Sequence, residues 1–239
     1  MENTFSYDRE RGQAYRALAP EMAEYKKEVE GRLKECQQSG DLQGARDLLE
    51  EVSLRTKPFI DLQRELGPKG ILLAKYGVEV INDHTVMFVI PKGVSRIEIL
   101  EEVQGLIEHT DGGPFIDPTY LEQIKKIDRY SSKQSTSKRL CIDGHVPGGD
   151  GKTRKQQEAF LGKEFTMANF EDLAVAFCLH WLATGEPLFG WYRKQNDYSY
   201  WIRAVGVALF FDVNGLLAYS IDGDDDWDDI GVSACVSPE

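Results

Sequence analysis

Between Pro20 and Cys36 the apolar positions Met22, Tyr25, Val29, Leu33 and Cys36 recur at intervals of three and four, which predicts one side of a helix. Gln38-Ser39-Gly40-Asp41 interrupts the pattern, with Gly40 suited to a tight turn and Asp41 to an N-cap. Leu42, Ala45, Leu49 and Val52 then resume it. Two such stripes across a short turn predict an antiparallel helical hairpin. Pro58 is expected to end or kink the second arm, with Phe59, Leu62 and Leu66 on a short continuation. This hairpin, residues 1–67, is either an oligomerisation or docking arm or a layer packed on the chain's own body.

The pattern changes after residue 70. Val78–Ile81 and Thr85–Ile90 are rich in β-branched and aromatic residues around the turn Asn82-Asp83-His84, which predicts a β-hairpin. Ser95 and Glu98 form a capping-box pattern before a helix carrying Ile97, Ile99, Leu100, Val103 and Ile107. Asp117-Pro118 is expected to start another helix that reaches about Tyr130. The polar stretch 131–139 reads as a mobile loop or linker. A strand at Leu140–Ile142, a glycine-rich loop and a helix from Thr153 follow. The helix from Asn169 is apolar nearly all round, as expected at the centre of a core. Gly190–Lys194, Tyr200–Phe211, Leu216–Ile221 and Ile230–Val236 read as strands, with Asn214-Gly215 as a hairpin turn. The organisation expected is a helical arm at 1–67, a mixed region with a linker at 68–137 and a β-rich domain at 138–239.

Charge and composition narrow the function. The chain has 239 residues, 40 acidic and 28 basic, for a net charge of −12. A protein that mainly neutralises phosphates needs the opposite balance, which argues against nucleic acid as the partner. No apolar run reaches the length of a membrane span and no secretory signal opens the sequence, so a cytoplasmic location is expected, with display on a cell or virion surface as the alternative. Four scattered cysteines without a CxxC exclude a zinc ribbon or a dense disulfide scaffold.

Each candidate for chemistry fails a requirement. Gly148-Gly149-Asp150-Gly151-Lys152-Thr153 resembles a phosphate loop, and Ala208–Asp212 could supply the strand with its magnesium-binding Asp. The motif needs glycine where Val146 stands, and Thr153 with Gln156 reads more simply as a capping box. Asp143, His145 and Asp150 are a weak metal pattern. His180, on the apolar helix, is expected to be a hydrogen-bonded core histidine. The acidic run from Asp222 has Trp227 and Ser233 where an EF-hand loop needs Gly and Glu. Residues 125–155 hold nine basic and three acidic side chains, expected to be a solvated basic loop. No catalytic signature, cofactor or metal site is therefore expected.

One compositional break stands out. From Asn196 to Pro238 there are eight Asp, no Glu, no Lys, no Gln and no Met; the first 195 residues hold eleven Asp and twenty Glu. Strand and turn preferences explain part of this. A codon randomised at its first two bases and ending in a pyrimidine explains the rest, because it cannot encode Glu, Lys, Gln, Met or Trp. Only Trp201 and Trp227 depart from it. The stretches Leu173-Ala174-Val175-Ala176, Thr184–Phe189, Trp201–Gly206 and Gly231–Cys235 resemble variable proteins of diversity-generating retroelements. The resemblance covers residues 138–239. It implies a C-type-lectin-like fold whose surface residues near the C-terminus are varied by adenine-directed mutagenesis. Calcium-dependent sugar-binding lectins use Glu-Pro-Asn and Trp-Asn-Asp; this chain has Glu186-Pro187-Leu188 and Trp227-Asp228-Asp229, so calcium-dependent sugar binding is not expected.

The overall expectation is an α+β protein with an N-terminal helical hairpin, a small β-hairpin and helix region and a C-terminal C-type-lectin-like β-rich domain. Its expected role is non-enzymatic ligand binding through Asn196, Asp197, Tyr198, Ser199, Tyr200, Tyr219, Ser220, Asp222, Asp224, Asp225, Asp226, Trp227, Asp228 and Asp229. Tyr and Trp supply contact area at low entropic cost, and Asp, Ser and Asn supply adaptable polar contacts. The expected partner is a protein or other macromolecule, with self-association through the N-terminal helices. The alternatives are a nucleotide-binding enzyme using 148–153 and a structural assembly protein.

Overall fold

The first helix begins where Asp8 caps it, accepting a hydrogen bond from the Arg11 amide at 3.0 Å. In the computed structural model α1 runs from Arg9 to Ser39, so Pro20 lies inside it. The structure describes residues 7–107, 116, 121–122, 124–126, 128–144, 146, 148–149, 152–162, 165–186, 188, 193–194, 197–198, 200–204, 207–212, 215–219, 231–232 and 234–236. Within those bounds the chain is a mixed α+β protein that divides into two units, Tyr7–Lys75 and Tyr76–Glu239.

The first unit is the helical hairpin. Gly40 ends α1 at φ 71°, a conformation that suits a residue without Cβ, and its N–H bonds the Cys36 carbonyl. Asp41 accepts from the Gly44 amide at 2.8 Å and opens α2, Leu42–Lys75. The expected break at Pro58 does not occur. The chain departs from helical geometry instead at Gly67 (φ 62°, ψ 178°), just before Pro68. Proline disfavours the helical conformation in the residue before it, and glycine accepts the positive φ that relieves this. The two arms meet through Glu51, which receives the Tyr25 hydroxyl and both guanidinium nitrogens of Arg32, and through the stacked rings of Tyr15 and Phe59. The seam differs from the expected stripe: Leu48 is buried against α1, whereas Leu42 and Leu49 are exposed.

The second unit is built on a five-stranded antiparallel sheet. β1 (Glu79–Asn82) and β2 (Thr85–Ile90) form the expected hairpin. The capping box of Ser95 and Glu98 forms as anticipated and opens α3, Arg96–Ile107. Among the described residues after it lies α4, Asp128–Ser131; positions 117–120, where Asp117-Pro118 was to start a helix, are outside them. β3 (Lys138–Asp143) is followed by α5 (Arg154–Leu161), β4 (Thr166–Met167) and α6 (Phe170–Thr184). The sheet order is β1-β2-β3-β11-β4, with β11 at Ala234–Val236.

Two expectations about organisation are corrected here. The stretch 131–139 is not a free linker: Gln134 exchanges backbone bonds with Gly93 and Val94, and Ser137 Oγ accepts from the Lys92 amide. The boundary placed at 138 falls inside one sheet, since β3 pairs with β2 over six residues, Thr85–Ile90 against Lys138–Asp143.

The remaining strands are β5 (Arg193–Lys194), β6 (Asp197–Tyr198), β7 (Tyr200–Ala204), β8 (Val207–Asp212), β9 (Gly215–Tyr219) and β10 (Gly231–Val232). Tyr200–Phe211 is thus two strands rather than one, closed by the pair Ala204–Val207. The segment Ile230–Val236 likewise divides, one part joining each sheet. The second sheet has the order β10-β7-β8-β9.

α6 explains its own composition. It packs on β2 and β3 of the first sheet, on β8 of the second and on α3. A helix enclosed this way has no polar side to offer, and Leu173, Ala174, Val175, Ala176, Phe177 and Leu179 are all fully buried. Val86, Phe88, Ile90, Leu140 and Ile142 complete that core from the strands.

Candidate functional site

Four of the residues expected to bind ligand fall on two sheets, a two-stranded one of β5 and β6 and the second sheet. Asp197 and Tyr198 lie in β6, opposite Lys194 and Arg193 of β5. Tyr200 opens β7 in the row Tyr200–Phe211–Leu216, and Tyr219 closes β9 in the row Arg203–Ala208–Tyr219. Those rows are three residues apart, or about 10 Å along the strands. The backbone therefore delivers Tyr200 and Tyr219 to opposite ends of the sheet. β9 and β10 are its two edges, about 14 Å apart at three strand spacings. The segment between these edges carries six Asp and Trp227. Asn196, Ser199, Ser220, Asp222, Asp224, Asp225, Asp226, Trp227, Asp228 and Asp229 lie outside the described residues.

The structure also assembles a charged cluster that local pattern did not reveal. Asp172, in the first turn of α6, is almost fully buried, with its side chain 1% exposed. Its Oδ1 accepts from Arg96 Nε at 2.6 Å, and its Oδ2 lies 3.7 Å from Lys138 Nζ. Three elements thus meet at one carboxylate: the start of α3, the start of β3 and the start of α6. Asp172 also satisfies the rule that acidic groups favour helix N-termini. Lys138 continues outward into a cleft of about 470 Å³ that Glu158, Phe165, Thr166, Asn169 and Cys235 also line.

The capping box expected at Thr153 and Gln156 forms. Thr153 caps α5 by accepting from the Gln156 amide, and the Gln156 side chain returns to the Thr153 amide at 2.9 Å. Lys152 lies over the Phe160 ring at 5.6 Å. The described part of the basic stretch is solvent-exposed and paired with acidic neighbours: Lys125 with Glu101 and Glu122, Lys133 with Glu98, and Arg139 with Glu79.

His180 sits at the last turn of α6 and is buried. Its Nδ1 is 3.0 Å from the Glu186 carbonyl; a carbonyl only accepts, so Nδ1 carries the proton. Thr184 ties the same turn, donating to the His180 carbonyl and accepting from the Glu186 amide. Burial holds the imidazole below its ordinary value, against the opposing pull of the Glu186 and Asn82 backbone groups. Two thiols, that of the buried Cys178 and that of the partly exposed Cys235, move the other way. Desolvation pushes Cys178 up to about 12. Desolvation and then the Asp172 charge push Cys235 up to about 11. Both are protonated at neutral pH, the inert state of a cysteine.

Among the described residues no group of three His, Cys, Asp or Glu side chains could hold a metal ion; His145 and Asp150 fall outside them. No helix among them is long and apolar enough to cross a membrane. Fold and geometry define an α+β protein in which one buried helix serves two sheets. No family model, curated protein or solved structure matches the chain.

Proposed function

We propose that the chain is a non-enzymatic recognition protein in which a C-type-lectin-like frame presents a diversified surface, in the manner of the variable proteins of diversity-generating retroelements. The observation that carries this reading is the compositional break at Asn196, beyond which eight Asp occur without Glu, Lys, Gln or Met up to Pro238. Further support comes from connectivity. β3 and β11, at the two ends of the stretch that carries the resemblance, are hydrogen-bonded neighbours. Two helices follow β3, and a three-stranded antiparallel meander, β7-β8-β9, precedes the return to β11. A frame closed in this way tolerates substitutions between its ends without losing its register. The Asp-rich surface selects a protein or other macromolecule bearing positive charge.

The test is in the coding DNA. Sequencing the C-terminal coding stretch from many independent isolates should find substitutions concentrated in the codons for 196–229 and at adenines of a nearby near-repeat. A coding stretch that is invariant across isolates, with no such repeat beside it, overturns the proposal.

A further inference from the structure

The hairpin unit presents a face on α2 that α1 does not use. α1 docks on the flank that carries Leu48, Glu51, Arg55 and Phe59. About 100° around the helix, at 100° per residue, lie Leu42, Ala45, Leu49, Thr56, Ile60 and Gln63. All six are uncharged, in a chain of which 28% of residues are charged. Leu42 is 78% exposed, Leu49 62% and Ile60 45%. The Thr56 hydroxyl is already bonded to the Val52 carbonyl, so it adds no unmet polar demand. Leu42 and Ile60 are eighteen residues apart, five full turns, and mark a straight strip about 27 Å long.

We propose that this strip joins two copies of the chain, α2 against α2 in antiparallel fashion, closing two hairpins into a four-helix bundle. The spacing is self-complementary about a two-fold axis between Val52 and Ser53. That axis sets Leu42 opposite Gln63, Ala45 opposite Ile60 and Leu49 opposite Thr56, a larger apolar side chain opposite a smaller or polar one at each level. A strip without charges needs a counterpart without charges, and a second copy supplies it. The bundle also gives a two-helix layer the second layer that helical folds require.

The test is sedimentation of the full chain over a concentration series up to about 200 µM, a range that covers micromolar dimers. Twice the monomer mass of 27.0 kDa is expected. Leu49→Glu and Ile60→Glu together place charges in the middle of the strip and should return the protein to monomer with its helical circular dichroism intact. Leu54→Glu is the control: Leu54 is 71% exposed but lies about 120° around from Leu42, so the dimer should survive. A wild-type monomer at every concentration overturns the proposal. So does a dimer that persists in the double variant, or one that Leu54→Glu abolishes equally.

Discussion

Replacing Arg96 with methionine should destabilise the Tyr76–Glu239 unit more than any surface change. Arg96 is the closer of the two cations at Asp172, 2.6 Å from Oδ1 with only 12% of its side chain exposed, and Lys138 at 3.7 Å is a weaker counter-charge. Methionine keeps most of the packing volume and removes the charge, which leaves a buried carboxylate under-compensated. Breaking a buried pair in this way costs about 3–5 kcal/mol. In a chain of this size each kcal/mol moves the melting temperature by about 2–4 °C, so a fall of roughly 6–20 °C is expected. All four tryptophans, Trp181, Trp191, Trp201 and Trp227, lie in this unit, so their fluorescence in urea reports its unfolding and not that of the hairpin. The second arm is Arg96→Met combined with Asp172→Leu. With both charges gone the desolvation penalty disappears, and the double variant should recover most of the loss. A single variant within about 1 kcal/mol of wild type, the range of an exposed pair, would refute the reasoning.

A chain beginning at Lys138 should show no cooperative melt, because β3 loses its six pairs with β2, whereas one beginning at Tyr76 should keep it; a cooperative transition in the shorter chain would contradict the shared sheet. Gly144→Ala should cost about 1–3 kcal/mol, measured in urea, since an added Cβ would lie 2.7 Å from the Leu188 carbonyl oxygen and 2.6 Å from its Cγ. His180 should make stability fall on acidification. Its folded value lies below the ordinary 6.5, so between the two values the unfolded chain binds a proton that the folded chain does not. The contribution is complete above pH 6.5 and is lost as pH drops through the folded value; His180→Asn should flatten that slope in urea titrations from pH 8 to pH 5.

Much of the framework is legible locally because local chemistry decides it. Gly40 and Asp41 turn the hairpin, Ser95 and Glu98 cap α3, and Thr153 and Gln156 cap α5 through bonds spanning three or four residues. The misreadings fall where a distant partner decides. The polar run 131–139 has the composition of a linker, yet Gln134 and Ser137 are held by residues 92–94. Tyr200–Phe211 carries one charge, Arg203, in an otherwise nearly unbroken apolar run, so periodicity alone could not reveal the reversal between Ala204 and Val207. Pro58 does not break α2, because packing against α1 outweighs one missing hydrogen bond, and the departure from helical geometry falls at Gly67, before Pro68. The Arg96–Asp172 pair spans 76 residues and left no trace in either local pattern. Of the candidate recognition surface, the sequence supplies residue types, and the strand registers add that Tyr200 and Tyr219 stand at opposite ends of one sheet.

The position of β11 governs how long the protein takes to become safe during synthesis. β1, β2 and β3 are consecutive in the first sheet and can pair as they leave the ribosome. The far edge of β3 then waits for Ala234–Val236, roughly ninety residues later, which at ordinary rates of translation is about 5–20 s. During that interval the strand of Lys138–Asp143 is an open edge with unpaired backbone groups, the kind that captures other chains. β4 cannot relieve it, because its partner in the sheet is also β11. A ribosome halted between the emergence of β3 and codon 234 therefore carries a nascent chain with an exposed, adhesive β3 edge, and the yield of folded protein depends on how quickly the Asp-rich codons are read.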